Sequence, residues 1–89
     1  MRFEFDSHKS SANQAKHGIS FEEAKKIWSN EVLILGSKNP DEERLLVIGT
    51  IDQTFWTAIV TMRGPSKDII RIISVRRSRY EEKRLYKKS

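Results

Sequence analysis

Residues 43–63 read ERLLVIGTIDQTFWTAIVTMR. Two runs rich in β-branched, leucine and aromatic residues, 43–51 and 55–63, flank Asp52-Gln53, a pattern that predicts a β-hairpin. In the second run Trp56, Ala58, Val60 and Met62 alternate with Phe55, Thr57, Ile59, Thr61 and Arg63, so each set occupies one face of a strand. The first set, with Trp56, is assigned to the core, and Arg63 to a polar cleft. Gly64-Pro65-Ser66-Lys67 follows as a turn. Residues 69–77, IIRIISVRR, form a further strand whose apolar residues fall on both faces, as expected of a central strand. Upstream, Val32-Leu33-Ile34-Leu35 predicts a short first strand that ends in the turn-rich Gly36-Ser37-Lys38-Asn39-Pro40.

Helices flank these strands. Asp6 can cap a helix that runs to about residue 16 and closes at His17-Gly18, glycine being favoured just past a helix end. Ser20 and Glu23 form a capping-box pattern for a second helix, with Phe21, Ala24, Ile27 and Trp28 at helical spacing and a stop near Asn30. Ser78 and Glu81 repeat that pattern for a last helix through about residue 87. The expected fold class is α+β: two N-terminal helices, a four-stranded mainly antiparallel sheet and a C-terminal helix. The helices would cover one face and leave the other free for ligands. Residues 1–89 are expected to form a single domain.

Composition narrows the chemistry. The chain has 89 residues and is 37% hydrophobic, which allows one small core. It has no cysteine, which excludes a disulfide framework, a thiolate nucleophile and cysteine-ligated zinc or iron–sulfur sites. No apolar run approaches the roughly 18 residues of a membrane span, and the charged residues 1–16 lack the apolar stretch of a signal peptide. A cytoplasmic protein without a membrane partner is expected. Lys and Arg number 17 against 12 Asp and Glu, for a net charge of +5. From Arg71 onward Arg76, Arg77, Arg79, Lys83, Arg84, Lys87 and Lys88 face only Glu81 and Glu82. Such a cationic block favours phosphates or acidic protein surfaces.

Lys9, Asn13, Lys16 and His17 fall along one polar stripe of the first helix. His17 is the better placed histidine for acid–base work, since imidazoles as a class titrate near neutrality, although a cation in a last helical turn also meets the helix dipole favourably. His8 reads as solvent-exposed. Two histidines with no third ligand make no recognisable metal site, no Gly-x-Ser-x-Gly elbow is present, and no cofactor is implied. RNA scission fits this inventory, because the 2′-hydroxyl is its own nucleophile and the protein need supply only a base, an acid and cations. Arg63 and Arg71 are expected on neighbouring strands and Arg76 and Arg77 at the sheet's end beside the last helix, a cluster of cations at one site that could hold phosphate oxygens through forked hydrogen bonds. Glu82 and Tyr86, one turn apart on the last helix, could complete a polar site.

Read in order, Phe3-Glu4-Phe5-Asp6, Lys9, Asn13, Lys16-His17-Gly18-Ile19-Ser20-Phe21-Glu22-Glu23-Ala24, Arg44, Ile48-Gly49 and Arg71-Ile72-Ile73-Ser74-Val75-Arg76-Arg77, with Glu82 and Tyr86, resemble the BrnT family of type II toxins. Phe5 stands where the family usually has Trp, and Val75 where Ala is usual. The resemblance implies a RelE-like fold and ribonuclease activity that arrests translation. It also implies neutralisation by a BrnA-type antitoxin encoded alongside, which often represses the shared promoter. Its motif residues fall on Lys9, Asn13, Lys16, His17, Arg44, Arg71, Arg76, Glu82 and Tyr86.

The expectation is therefore a metal-independent endoribonuclease in a hetero-oligomer with its antitoxin, acting on RNA free or on the ribosome and meeting promoter DNA only through the antitoxin complex. Arg71 and Arg76 are expected on phosphate, with His17 and Glu82 in proton transfer. Lys9, Asn13, Lys16, Arg44, Arg63, Arg77 and Tyr86 are expected to contact RNA. The competing expectation is a basic nucleic-acid-binding module without catalysis, or a subunit of a repressor complex. General RNA binding lacks its usual platform of exposed aromatics, since Phe55, Trp56, Tyr80 and Tyr86 read as core or helix–sheet contacts.

Overall fold

A computed structural model describes residues 2–36 and 43–89. The turn expected at 36–40 therefore lies, from Ser37 on, outside the described residues. The elements are β1 (Arg2–Glu4), α1 (Ser7–His17), α2 (Phe21–Ala24), a 3-10 helix (Lys25–Ser29), β2 (Leu33–Gly36), β3 (Leu45–Ile51), β4 (Thr54–Arg63), β5 (Ile69–Arg77) and α3 (Tyr80–Lys88). The strands form one sheet in the order β1-β5-β4-β3-β2. β2 to β5 run antiparallel to their neighbours, whereas β1 lies parallel to β5, with Arg2 opposite Ile69 and Glu4 opposite Arg71.

This corrects the expected fold class in two respects. The sheet is mixed and five-stranded rather than four-stranded and mainly antiparallel, and the second N-terminal helix is not a continuous one. β1 escapes a periodicity argument because three residues carry no period, and its partner strand lies at the other end of the chain. The expected helix over residues 20–30 breaks after four residues into a 3-10 turn. Packing decides this segment: Ile27 is fully buried against Gly49 of β3, where a Cβ would sit 2.8 Å from the Ile27 Cγ2 atom. Trp28 meets Phe3 edge-on at 5.0 Å. The two N-terminal helices and four-stranded sheet implied by a RelE-like arrangement are accordingly not found.

The hairpin is as expected, with Thr54 paired to Ile51 across Asp52 and Gln53, both at positive φ (49° and 69°) as a tight hairpin turn requires. Ala58 and Val60 of β4 and Val47 of β3 share one core with Phe21 and Ala24 of α2 and Ile27 of the 3-10 helix, with Trp56 packed against it. On β5 the register slips between Ile59 and Val60, leaving Ile73 as an extra residue, so Ile70, Ile72 and Val75 all reach that core despite their uneven spacing. The bulge explains why β5 reads as apolar on both faces. Each such fully buried aliphatic side chain contributes roughly 1.5–3 kcal/mol. β5 is interior, as expected, because β1 flanks it along residues 69–71.

The opposite face is not left free along its whole length. α3 packs against it over Thr57, and Tyr86 meets Phe55 edge-on at 5.3 Å. The start of α3 lies one residue later than the expected cap. Arg79 is the N-cap residue, and its N–H donates to Glu82 at 2.8 Å, while Ser78 is drawn into a buried hydrogen bond with Thr57.

Candidate functional site

α1 contains only two apolar residues, Ala12 and Ala15, so it cannot be held by a hydrophobic stripe. Two buried polar side chains, one turn apart, dock it instead. Ser10 Oγ accepts from the Phe21 N–H at 2.9 Å. Asn13 donates to the carbonyls of Ile19 and Val75 at 2.8 and 2.9 Å and accepts from the Val75 N–H at 3.1 Å. Beyond Arg71, β5 has no β1 to pair with, and the Asn13 amide takes the place of the missing strand. The helix is closed at both ends as expected: Asp6 accepts from the His8 and Lys9 N–H groups, and Gly18 adopts the left-handed conformation at φ 80°. The Lys9 N–H bond, with that of His8, holds the Asp6 carboxyl below its ordinary range despite the opposing effect of desolvation.

This docking leaves a cleft of about 200 Å³ between α1 and the free edge of β5, lined by Lys9, Asn13, Lys16, His17, Ile73 and Ser74 among others. The Lys9 and Lys16 ammonium groups and the His17 imidazole have no hydrogen-bond or ion-pair partner among the described residues. Three side chains able to bind an anion thus line one concave surface, at an edge that no strand among the described residues covers. Asn13 differs from its neighbours on the stripe, for its amide is engaged with backbone and fixes the cleft's wall.

On the other face, one row across the sheet, Arg76 is paired with Glu82. Both guanidinium ends reach the carboxylate, at 2.8 Å each. Glu82 Oε1 also accepts from the Arg79 N–H and from the Thr57 hydroxyl at 3.0 Å, so Ser78 Oγ, 2.7 Å from Thr57, must donate to Thr57. Burial by itself pushes the Glu82 carboxyl up, but the hydrogen bonds from Arg76, Arg79 and Thr57 outweigh it and hold the pKa at about 2. A carboxylate so stabilised is ionised at neutral pH and a weak base.

The remaining arginines do not converge on one point. Arg71 pairs with Glu4 at 3.3 Å and remains 29% exposed. Arg63, exposed at the end of β4, lines an open depression with Glu43, Thr61 and Met62. It lies on the strand next to that of Arg71, as expected, and on the same face. Thr61, directly opposite Arg71, keeps a buried hydroxyl without a partner. Arg77 lies on the core-side face, over the Trp56 ring at 5.6 Å. Arg44, just before β3, is half-buried and already engaged. Tyr86 donates to the Glu31 carbonyl at 3.0 Å and so ties α3 to the strand layer. Tyr80, expected in a packing contact, is instead 77% exposed.

Among the described residues, no group of three or more His, Asp or Glu is placed to hold a metal ion, and no helix is long and apolar enough to cross a membrane.

The family model described as the ribonuclease toxin, BrnT, of type II toxin–antitoxin systems matches residues 5–82. The chain belongs to this family. No curated protein matches it. Membership in the BrnT family makes the chain a ribonuclease toxin whose system includes an antitoxin partner. The matched span runs from just before α1 to Glu82, and so takes in both the cleft and the Arg76–Glu82 pair.

Three residues of this BrnT chain's polar framework lay outside the expected site: Thr57 and Ser78, which complete the shell around Glu82, and Glu4, which pairs with Arg71. Thr57 carried a signal, as a hydroxyl in the middle of an apolar strand. Glu4 carried little, because its partner depends on the parallel pairing of β1. Ser74 joins the cleft through the bulge at Ile73, which is invisible in the alternation of residues.

Proposed function

We propose that this BrnT-family chain is a metal-independent endoribonuclease that binds an RNA strand along the free edge of β5 and cuts it in the α1 cleft. In the cell it would act in the cytoplasm, inhibit translation, and be held inactive by a BrnA-like antitoxin. What supports the reading most is a single observation: Lys9, Lys16 and His17 line one cleft and none has a hydrogen-bond or ion-pair partner for its side chain among the described residues.

The chemistry follows from the substrate. The 2′-hydroxyl loses its proton to His17 and attacks the adjacent phosphorus. The bond to the 5′-oxygen breaks, and that oxygen takes up the proton that His17 had accepted. The products are a 2′,3′-cyclic phosphate and a 5′-hydroxyl. The Lys9 and Lys16 ammonium groups offset the negative charge that grows on the phosphorane, the kind of effect for which loss of one donor costs about 3–4 kcal/mol. Arg71, partly exposed on the face reached around the β5 edge, holds a neighbouring phosphate. Arg76 and Glu82 are positioning residues in this scheme, because their hydrogen bonds are spent on each other and on α3. Asn13 likewise positions the cleft.

The test is incubation of the antitoxin-free protein with unstructured RNA in excess chelator, with end analysis of any fragments. Fragments carrying cyclic phosphate are expected. RNA that is retarded in a gel but stays intact would instead support a non-catalytic binding module, and cleavage only on added divalent cation would overturn metal independence.

A further inference from the structure

The two edges of the sheet are protected differently. β1 is three residues long, and its Arg2 and Glu4 put charges at the edge, a common device against unwanted strand pairing. β2, at the other edge, reads Leu-Ile-Leu-Gly, with no charge, no proline and no bulge. Its outward backbone groups have no strand partner among the described residues. Beside it, on the core side, Ile34 is 54% exposed at an apolar groove of about 190 Å³ that also includes Trp28, Val32, Val47 and Met62. Among the described residues, none that lines this groove is charged. An unprotected apolar edge next to an apolar groove is the arrangement that accepts an added strand, with ladder hydrogen bonds for affinity and alternate side chains seated in the groove.

We propose that this edge and groove seat an extended segment of the antitoxin, one that pairs with β2, places alternate apolar side chains beside Ile34 and Trp28, and carries acidic residues in its flanks. The net charge of +5 argues for the acidic partner: pairing with a second copy would bring together two chains of like net charge, whereas an acidic segment meets a chain of opposite sign. The proposal rests on the antitoxin partnership of the family and not on the ribonuclease reading of the α1 cleft. That cleft lies by β5, with β4 and β3 between it and β2, so a segment bound here anchors the antitoxin without itself filling the RNA site.

The purified cognate antitoxin is titrated into the full-length wild type and into Ile34→Asp, whose fold is checked by circular dichroism. Backbone hydrogen exchange of the wild type is compared free and bound. The expected results are a loss of affinity of about 30-fold or more in the variant and slowed exchange in Leu33–Gly36 on binding. RNA cleavage by free Ile34→Asp should match that of the free wild type. Unchanged affinity together with unprotected β2 amides would overturn the proposal. So would a wild type that sediments as a dimer and becomes monomeric on Ile34→Asp, since the groove would then belong to a second copy. If the wild type leaves RNA intact while β2 becomes protected, the ribonuclease reading falls and this one stands.

Discussion

α1 and α3 both bond to the same stretch of β5, at Val75 and Arg76, yet the two sides are built on opposite principles. On the α3 side Arg76 meets a buried carboxylate that is also bonded by Arg79, Thr57 and, through Thr57, Ser78. On the α1 side the Lys9, Lys16 and His17 side chains meet no partner among the described residues, and the bonds that hold the helix are made by Ser10 and Asn13. The difference separates charge that builds the fold from charge left available to a ligand. An isolated buried carboxylate would be costly, so its satisfied partners show what it does; cations in an open cleft carry no such cost and are free to bind phosphate.

The largest expected effect breaks the α3 side. Glu82→Ala leaves Arg76 part-buried without its counter-ion and the Arg79 and Thr57 donors without their acceptor, and should lower stability in chemical denaturation by about 3–5 kcal/mol. A loss below about 1 kcal/mol would place Glu82 in the same class as the cleft residues. Acid should produce a related change. The Glu82 pKa is depressed to about 2 in the folded protein, so its contribution is present above the unfolded value, near pH 4.5, and is lost as pH falls towards 2. It amounts to about 3 kcal/mol, and Glu82→Gln should remove that part of the pH dependence.

Smaller effects sharpen the contrast on the α1 side. Asn13→Ala removes three buried hydrogen bonds and should cost about 2 kcal/mol, with RNA cleavage falling because the cleft's wall is no longer fixed. Lys16→Ala should change stability by less than about 0.5 kcal/mol, while lowering the salt dependence of single-stranded RNA binding by about 0.7 in logarithmic slope, the loss of one phosphate contact. A salt slope equal to that of the wild type would remove Lys16 from the RNA path.

Much of the local structure was legible in the residues. Asp6, Gly18 and Ser20 act at helix ends because the side chains of Asp6 and Ser20, and the backbone N–H of a left-handed Gly18, satisfy orphan backbone groups within four residues, an interaction that short sequence windows contain. The β3–β4 hairpin is equally local. β1 was not, because its pairing joins the two ends of the chain, and the bulge at Ile73 arises from the fit of β5 to β4 rather than from the run IIRIISVRR itself. The site followed the same division. The stripe of Lys9, Asn13, Lys16 and His17 is a property of helical spacing and is present. The clustering of four arginines required knowledge of register, and the register sets Arg71 and Arg76 apart and turns Arg77 to the other face.

The most direct measurement is the rate of RNA cleavage by His17→Ala beside wild type, in excess chelator, with the stability of both proteins measured in the same buffer. If the α1 cleft is where RNA is cut, the variant should lose on the order of 100-fold or more in rate while losing less than about 1 kcal/mol of stability, the most that a side chain contributes by facing a helix dipole. A variant that cleaves as fast as wild type would make His17 a helix end only and would move the reaction out of the cleft.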